Sequence, residues 1–168
     1  YPLRRGMLRE ELKSRLKMNA RVFTLFLNTI IAQGKLEEVG PLICLPGFEI
    51  RFNDREQQLI HALIERFARA PFAPPTVKEC QAAVGVDIYE ALVQSGQLVQ
   101  VSPEVVFRKE DYDHIVSEIR TLFTQHTTLS AAQVRDHFNT SRRYMLALLE
   151  HLDELGVTVR EGDFRRLK

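Results

Sequence analysis

The sequence predicts a mainly α chain with small β-hairpins (α+β), built as one unit repeated in a row. Three observations carry that reading. Glycines 34, 96 and 156 are spaced by 62 and 60 residues. Each follows an apolar-faced helix and precedes two short runs of strand formers. Residues 34–45 align without gaps to 96–107, and 156–167 has the same shape. Helix, glycine and hairpin together form the second half of a winged helix, so the chain reads as tandem winged-helix (helix-turn-helix) domains.

Each element has its own local cause. In the first unit Leu8, Leu12 and Leu16 mark one helix, and Val22, Phe23, Phe26, Leu27, Ile30 and Ile31 mark the next. That unit lacks its first helix, which is expected upstream of Tyr1. In the second unit Asn53 and Asp54 open a helix carrying Leu59, Ile60, Leu63, Ile64 and Phe67, with Asp54 and Gln57 spaced as a capping box. The helix stops before Pro71. Thr76 and Glu79 form the next capping box, and a further helix is expected over about 86–95.

In the third unit 109–125 is a helix with Ile115, Val116, Ile119, Leu122 and Phe123 inward. Ser130 and Gln133 are another capping box, with Leu129 and Val134 placed as a hydrophobic staple. Met145, Leu148, Leu149, Leu152 and Leu155 share the face of the last helix, which Gly156 ends because glycine takes the left-handed cap conformation without a steric penalty. The expected domains are 1–52, a partial winged helix; 53–108, a winged helix acting as a spacer; and 109–168, the winged helix that binds.

Composition limits function less than charge placement does. Net charge is +1 over 168 residues, which says nothing about partners. By unit, residues 1–52 hold nine Lys/Arg against five Asp/Glu, 53–108 five against seven, and 109–168 nine against ten. The excess in the first unit lies mostly on one amphipathic helix and its lead-in, where a solvated face is the plainer reading and a minor role against tRNA, the ribosome or another domain stays open. The starts of the recognition helices discriminate better. The first unit offers Asn19, Ala20 and Arg21, and the second Gly85, Val86 and Asp87, whose aspartate would repel phosphate. The third offers Ser141, Arg142, Arg143 and Tyr144. With Thr140 or Ser141 as N-cap, both arginines fall in the first turn, against the positive end of the helix dipole. That placement makes sense where an anion docks onto free backbone N–H groups. Arginine also grips phosphate or a guanine edge through two parallel hydrogen bonds. Tyr144 is read either as a ligand contact, stacking on an unpaired base or touching a phosphate, or as half buried in the fold. Arg160, Arg165 and Arg166 on the adjacent hairpin extend the cationic face.

Other chemistry is not visible. The sequence has no phosphate-loop or nucleophile-elbow motif, and His114, His126, His137 and His151 form no i, i+4 metal pair. Cys44 and Cys80 read as buried small hydrophobes in a reducing compartment. No apolar run approaches membrane-spanning length, and the first residues lack the apolar core of a signal peptide. The chain therefore reads as a binding module rather than an enzyme, cytoplasmic, monomeric and without a membrane partner.

Pro2 to Met7, the helix Arg9-Glu10-Glu11-Leu12, and above all Phe138 to Tyr144 with Leu148 to Asp153 and Gly156 to Thr158 resemble the C-terminal part of the bacterial selenocysteine-specific elongation factors, the SelB family. The resemblance spans essentially the whole chain, and its last thirty residues are the most specific part. It implies a parent with four tandem winged helices, of which this chain holds part of the second and all of the third and fourth. It further implies that the last unit grips the apical loop of an mRNA stem-loop, the selenocysteine insertion element, beside an in-frame UGA codon. By position, Ser141, Arg142, Arg143 and Tyr144 would meet the RNA, with Arg160, Arg165 and Arg166 supporting from the wing. Selenocysteinyl-tRNA and the ribosome would be partners of the parent, and GTP would belong to its upstream domains, with no cofactor in this part. Loop readout suits RNA, whose narrow A-form major groove excludes helices. Two other classes stay open from the residues themselves: a tandem winged-helix DNA-binding regulator, against which Asp87 argues, and a protein–protein scaffold.

Overall fold

A computed structural model of the chain describes residues 3–168. Tyr1 and Pro2, the latter part of the N-terminal run quoted above, lie outside them. The chain divides into two compact units, Tyr1–Asn53 and Asp54–Lys168. The fold is mostly helical with small antiparallel sheets, and its plan is that of tandem winged helices.

The first unit runs β1 (Gly6–Leu8), α1 (Arg9–Leu16), α2 (Ala20–Ala32), β2 (Glu37–Val39) and β3 (Leu42–Cys44). Its sheet has the order β1-β3-β2, all antiparallel. Phe23, Leu27 and Ile43 form its buried centre, with Leu12, Met18, Ile31 and Leu36 packed around them. Asn19 caps α2, its side-chain oxygen accepting the Val22 N–H at 2.9 Å. Strand β1 was not foreseen. Leu8, expected as the first apolar residue of a helix, is instead the end of a strand and the N-cap of α1. Only the pairing with β3 makes that strand, and pairing between distant segments leaves no local pattern. A side chain at Gly6 would place its Cβ 2.6 Å from the Ile43 carbonyl oxygen, so the close approach of β1 to β3 requires glycine there.

The second unit carries α3 (Asp54–Arg69), α4 (Val77–Val84), α5 (Val86–Gln94), β4 (Leu98–Gln100), β5 (Val106–Arg108), α6 (Lys109–Gln125), β6 (Leu129–Ser130), α7 (Ala131–His137), α8 (Arg142–Glu154), β7 (Thr158–Glu161) and β8 (Phe164–Leu167). Both later capping boxes form in full, Thr76 with Glu79 and Ser130 with Gln133. Helix α3 begins at Asp54, which puts that aspartate in the first turn rather than at the cap. Helix α8 ends as its sequence demands. Gly156 takes φ +70°, its N–H bonds to the Asp153 carbonyl and the Val157 N–H bonds to that of Leu152. The same pair of bonds closes α2 at Gly34 and α5 at Gly96, so the repeat seen in sequence is a repeat of one helix-ending motif.

Within Asp54–Lys168 the hydrophobic core is continuous across Lys109. Val101, Val105 and Phe107 from the hairpin before it share a cluster with Ile115, Ile119, Leu129, Val134, Met145, Leu148, Leu149 and Leu152 after it. Strand β5 leads directly into α6, and Arg108 at that junction holds Asp111 through two hydrogen bonds of 2.8 and 3.0 Å. Nearer α8, the Phe72 ring lies 5.2 Å from that of Phe138. The Thr140 hydroxyl donates to the Phe72 carbonyl, and the Tyr144 hydroxyl donates to the Pro74 carbonyl at 3.0 Å. Both cysteines are buried and free, as their sequence setting indicated, and burial pushes the Cys80 thiol up to about 12.

Candidate nucleic-acid interface

The first turn of α8 is built to stay open. Asn139 takes a left-handed conformation (φ +46°) that turns the chain after α7, and Ser141 is the N-cap residue by backbone. Neither expected cap acts through its side chain. Ser141 makes no capping hydrogen bond, and the Thr140 hydroxyl is committed to Phe72. The first N–H groups of α8 therefore have no side-chain acceptor, and the positive end of the dipole faces outward.

The two arginines diverge from that turn. Arg142 is exposed and, among the described interactions, has no ion-pair partner. It lines a groove of about 260 Å³ with Ser130, Ala131, Ala132, Arg135 and Asp163, between the starts of α7 and α8 and the wing tip. Arg143 is exposed and lies over the Tyr144 ring, 5.2 Å from its centroid. The Glu79 carboxyl is held below its usual range chiefly by its hydrogen bonds to Thr76, with the Arg66 and Arg143 charges adding to the effect. Tyr144 itself is half buried, its ring edge-on to Phe107 and its hydroxyl on Pro74. Of the two readings open for this residue, the geometry is that of the half-buried one.

The wing separates three arginines that the sequence grouped together. Arg160, near the tip, is exposed and its Nε donates to the Gly162 carbonyl at 3.0 Å. Arg166 is exposed, pairs with Glu161 at 2.5 Å, and lines a different groove beside Phe123 to Thr127. Arg165 is turned inward and is only 2% exposed, its Nε on Asp153 at 2.8 Å. The expectation that it supports a ligand from the wing surface is corrected by this placement. Strand alternation sends every second residue to the core, and at this position of β8 the inward residue is the arginine, while Phe164 is left exposed.

The comparisons with known proteins converge on one family. The family model for the second winged helix of elongation factor SelB matches residues 1–45, and that for the third matches 121–167. The chain carries winged helices of the SelB family. The winged helix of α3, α4, α5, β4 and β5 lies between the two matched stretches. The selenocysteine-specific elongation factor of Desulfomicrobium baculatum is 24% identical over 175 residues, covering 99% of this chain and 28% of that protein. That of Haemophilus influenzae is 24% identical over 144 residues, covering 82% of this chain and 23% of the relative. The chain thus spans about a quarter of the length of the curated relatives it matches. Among solved structures, the mRNA-binding domain of Escherichia coli SelB in complex with SECIS RNA aligns over 70% of this chain and 99% of its own, at 20% identity and a TM-score of 0.55. A bacterial selenocysteine-specific elongation factor aligns over 98% of this chain and 26% of its own, at 22% identity and a TM-score of 0.56. These likenesses show the fold.

In this SelB winged helix the groove beside Arg142 also contains a residue the sequence reading passed over. Arg135 lies in the last turn of α7, its guanidinium on Asp136, and it lines the groove with Arg142. Its signal was available: a basic residue in the helix just before the recognition helix, on the face toward the wing. Asp163 was also missed as a groove residue, because which way a hairpin tip leans is set by its packing and not by its turn sequence. Among the described residues no cluster of three or more potential metal ligands occurs, and no helix is long and apolar enough to cross a membrane.

Proposed function

We propose that this chain binds an mRNA stem-loop, the selenocysteine insertion element, through its last winged helix. In the parent protein that grip tethers a translation elongation factor beside an in-frame UGA codon. The observation that carries the reading is the open start of α8: the Ser141 side chain does not cap it, Arg142 beside it has no ion-pair partner among the described residues, and Arg143 follows. A phosphate docked there meets backbone N–H donors, the dipole and a guanidinium together. The E. coli SelB domain of similar fold was solved with SECIS RNA, which supports the same ligand class here. Ser141, Arg142 and Arg143 form the primary contact, with Arg160 reaching from the wing tip and Arg166 from its flank. Tyr144 acts by holding Arg143, and Arg165 acts from within the fold. The whole factor would engage the ribosome and selenocysteinyl-tRNA and bind GTP through other domains, in the cytoplasm, with this part monomeric and without catalytic chemistry of its own.

The test is fluorescence anisotropy at two salt concentrations against a selenocysteine-insertion hairpin, a scrambled-loop hairpin and duplex DNA. Tight, salt-weakened binding to the first alone is the expected result. Equal binding to all three, or to none, overturns the reading.

A further inference from the structure

Counted from the glycine that ends the last helix of each unit, three positions can be compared across the chain. Three residues before it stand Ile31, Val93 and Asp153, and two after it stand Leu36, Leu98 and Thr158. Four residues after it are Glu38, Gln100 and Arg160, whose cross-strand partners are Ile43, Val106 and Arg165. Two units therefore fill this site with apolar side chains, and the last fills it with an acid, an alcohol and a base. The polar set is connected. One Asp153 oxygen accepts from the Thr158 hydroxyl at 2.6 Å and the other from Arg165 Nε at 2.8 Å. Thr158 is 1% exposed and Arg165 2%, and Arg165 Nη2 has no hydrogen-bond partner among the described residues.

Stability does not account for that choice. A buried ion pair is commonly no better than well-packed apolar residues of similar size, and an orphaned buried donor is unfavourable. The same frame accepts apolar side chains twice in this chain. What the network supplies is direction. Hydrogen bonds fix distance and angle, whereas apolar surfaces can slide. Asp153, in the last turn of α8, holds both strands of the hairpin at once, Thr158 on β7 and Arg165 on β8. Strand β8 is central in the sheet order β6-β8-β7, and Arg165 faces Arg160 across it. We infer that Asp153, Thr158 and Arg165 are positioning residues that set the wing on α8, so that Arg160 at the tip and Arg142 at the start of the same helix meet the RNA as one rigid surface.

This inference rests on the RNA-binding reading, and the experiment separates the two. The first unit's residues are moved into the last as Asp153→Ile/Thr158→Leu/Arg165→Ile, which leaves net charge unchanged and removes no exposed arginine. Melting temperature, anisotropy against a selenocysteine-insertion hairpin RNA, and hydrogen exchange of the Val159 and Glu161 amides are read on the full chain, with Arg142→Ala as the binding control. The expected result is a melting temperature at or above wild type, faster exchange at the wing and binding weakened about tenfold, the size of a coupling of about 1.4 kcal/mol. A folded swap that binds and exchanges like wild type overturns the inference. Should the swap not fold, Thr158→Val, which removes one bond and keeps the shape, decides: about threefold weaker binding supports the inference, and wild-type affinity overturns it. A wild-type chain that does not bind the hairpin sinks the RNA reading instead. Wing exchange then judges the positioning role alone, and unchanged rates overturn it.

Discussion

The first unit and the last are built on one frame and make opposite choices at the same places. At the start of the final helix the first unit has Asn19, whose side chain caps α2, followed by Ala20 and Arg21. The last unit has Ser141, which caps nothing, followed by Arg142 and Arg143. On the hairpin the first unit has Glu38 where the last has Arg160, and it buries Ile43 where the last buries Arg165. One copy closes its helix end and fills its hairpin base with apolar surface. The other leaves the end open, sets like charge against the dipole, and holds its wing through a buried polar network. The difference teaches that the copy proposed to bind RNA departs from the stability optimum, as functional sites commonly do.

The largest effect should come from Arg142→Ala/Arg143→Ala. Hairpin affinity is expected to fall about a hundredfold, at roughly 1–3 kcal/mol for each arginine contact, while Arg21→Ala changes it little. The same double variant should unfold at a higher temperature, because each arginine opposes the dipole by about 0.3–1 kcal/mol. Equal losses from Arg21→Ala would break the comparison. Next in size is Phe72→Ala, which removes the ring packed against Phe138 beneath the start of α8. A loss of about 2–3 kcal/mol is expected, measured by urea unfolding of the full chain. A change within error would mean that the two winged helices of this unit are not coupled through that contact.

A smaller and sharper test is the pair of caps. Asn19→Ala should destabilise its unit by about 1 kcal/mol, since it removes a formed side-chain cap, whereas Ser141→Ala should leave stability nearly unchanged. Similar losses from both would show that Ser141 caps its helix in solution, and would close the anion site. On RNA binding the smallest effect belongs to Tyr144→Phe. Removing the hydroxyl on Pro74 should lower stability by about 0.5–1.5 kcal/mol and leave hairpin affinity within about twofold, because the ring still lies under Arg143. A large loss of affinity at unchanged stability would return Tyr144 to direct contact with RNA.

Much of this protein is legible in its sequence, for local reasons. Helices announce themselves by the spacing of apolar residues, as Met145, Leu148, Leu149 and Leu152 do, all buried. Two capping boxes and three helix-ending glycines are chemistry within a few residues, and all five formed where their residues stood. The placement of Arg142 and Arg143 in the first turn of α8 could be found the same way, by comparing internal copies. What the sequence could not decide depends on partners far along the chain. Strands β1 and β6 exist only because β3 and β8 pair with them. Thr140 lost its role as a cap to the Phe72 carbonyl, which reaches it from 68 residues away. Arg165 read as surface charge, because an isolated hairpin gives arginine no reason to turn inward. Asp153 on the neighbouring helix supplies that reason, and only the packing of wing on helix brings the two together.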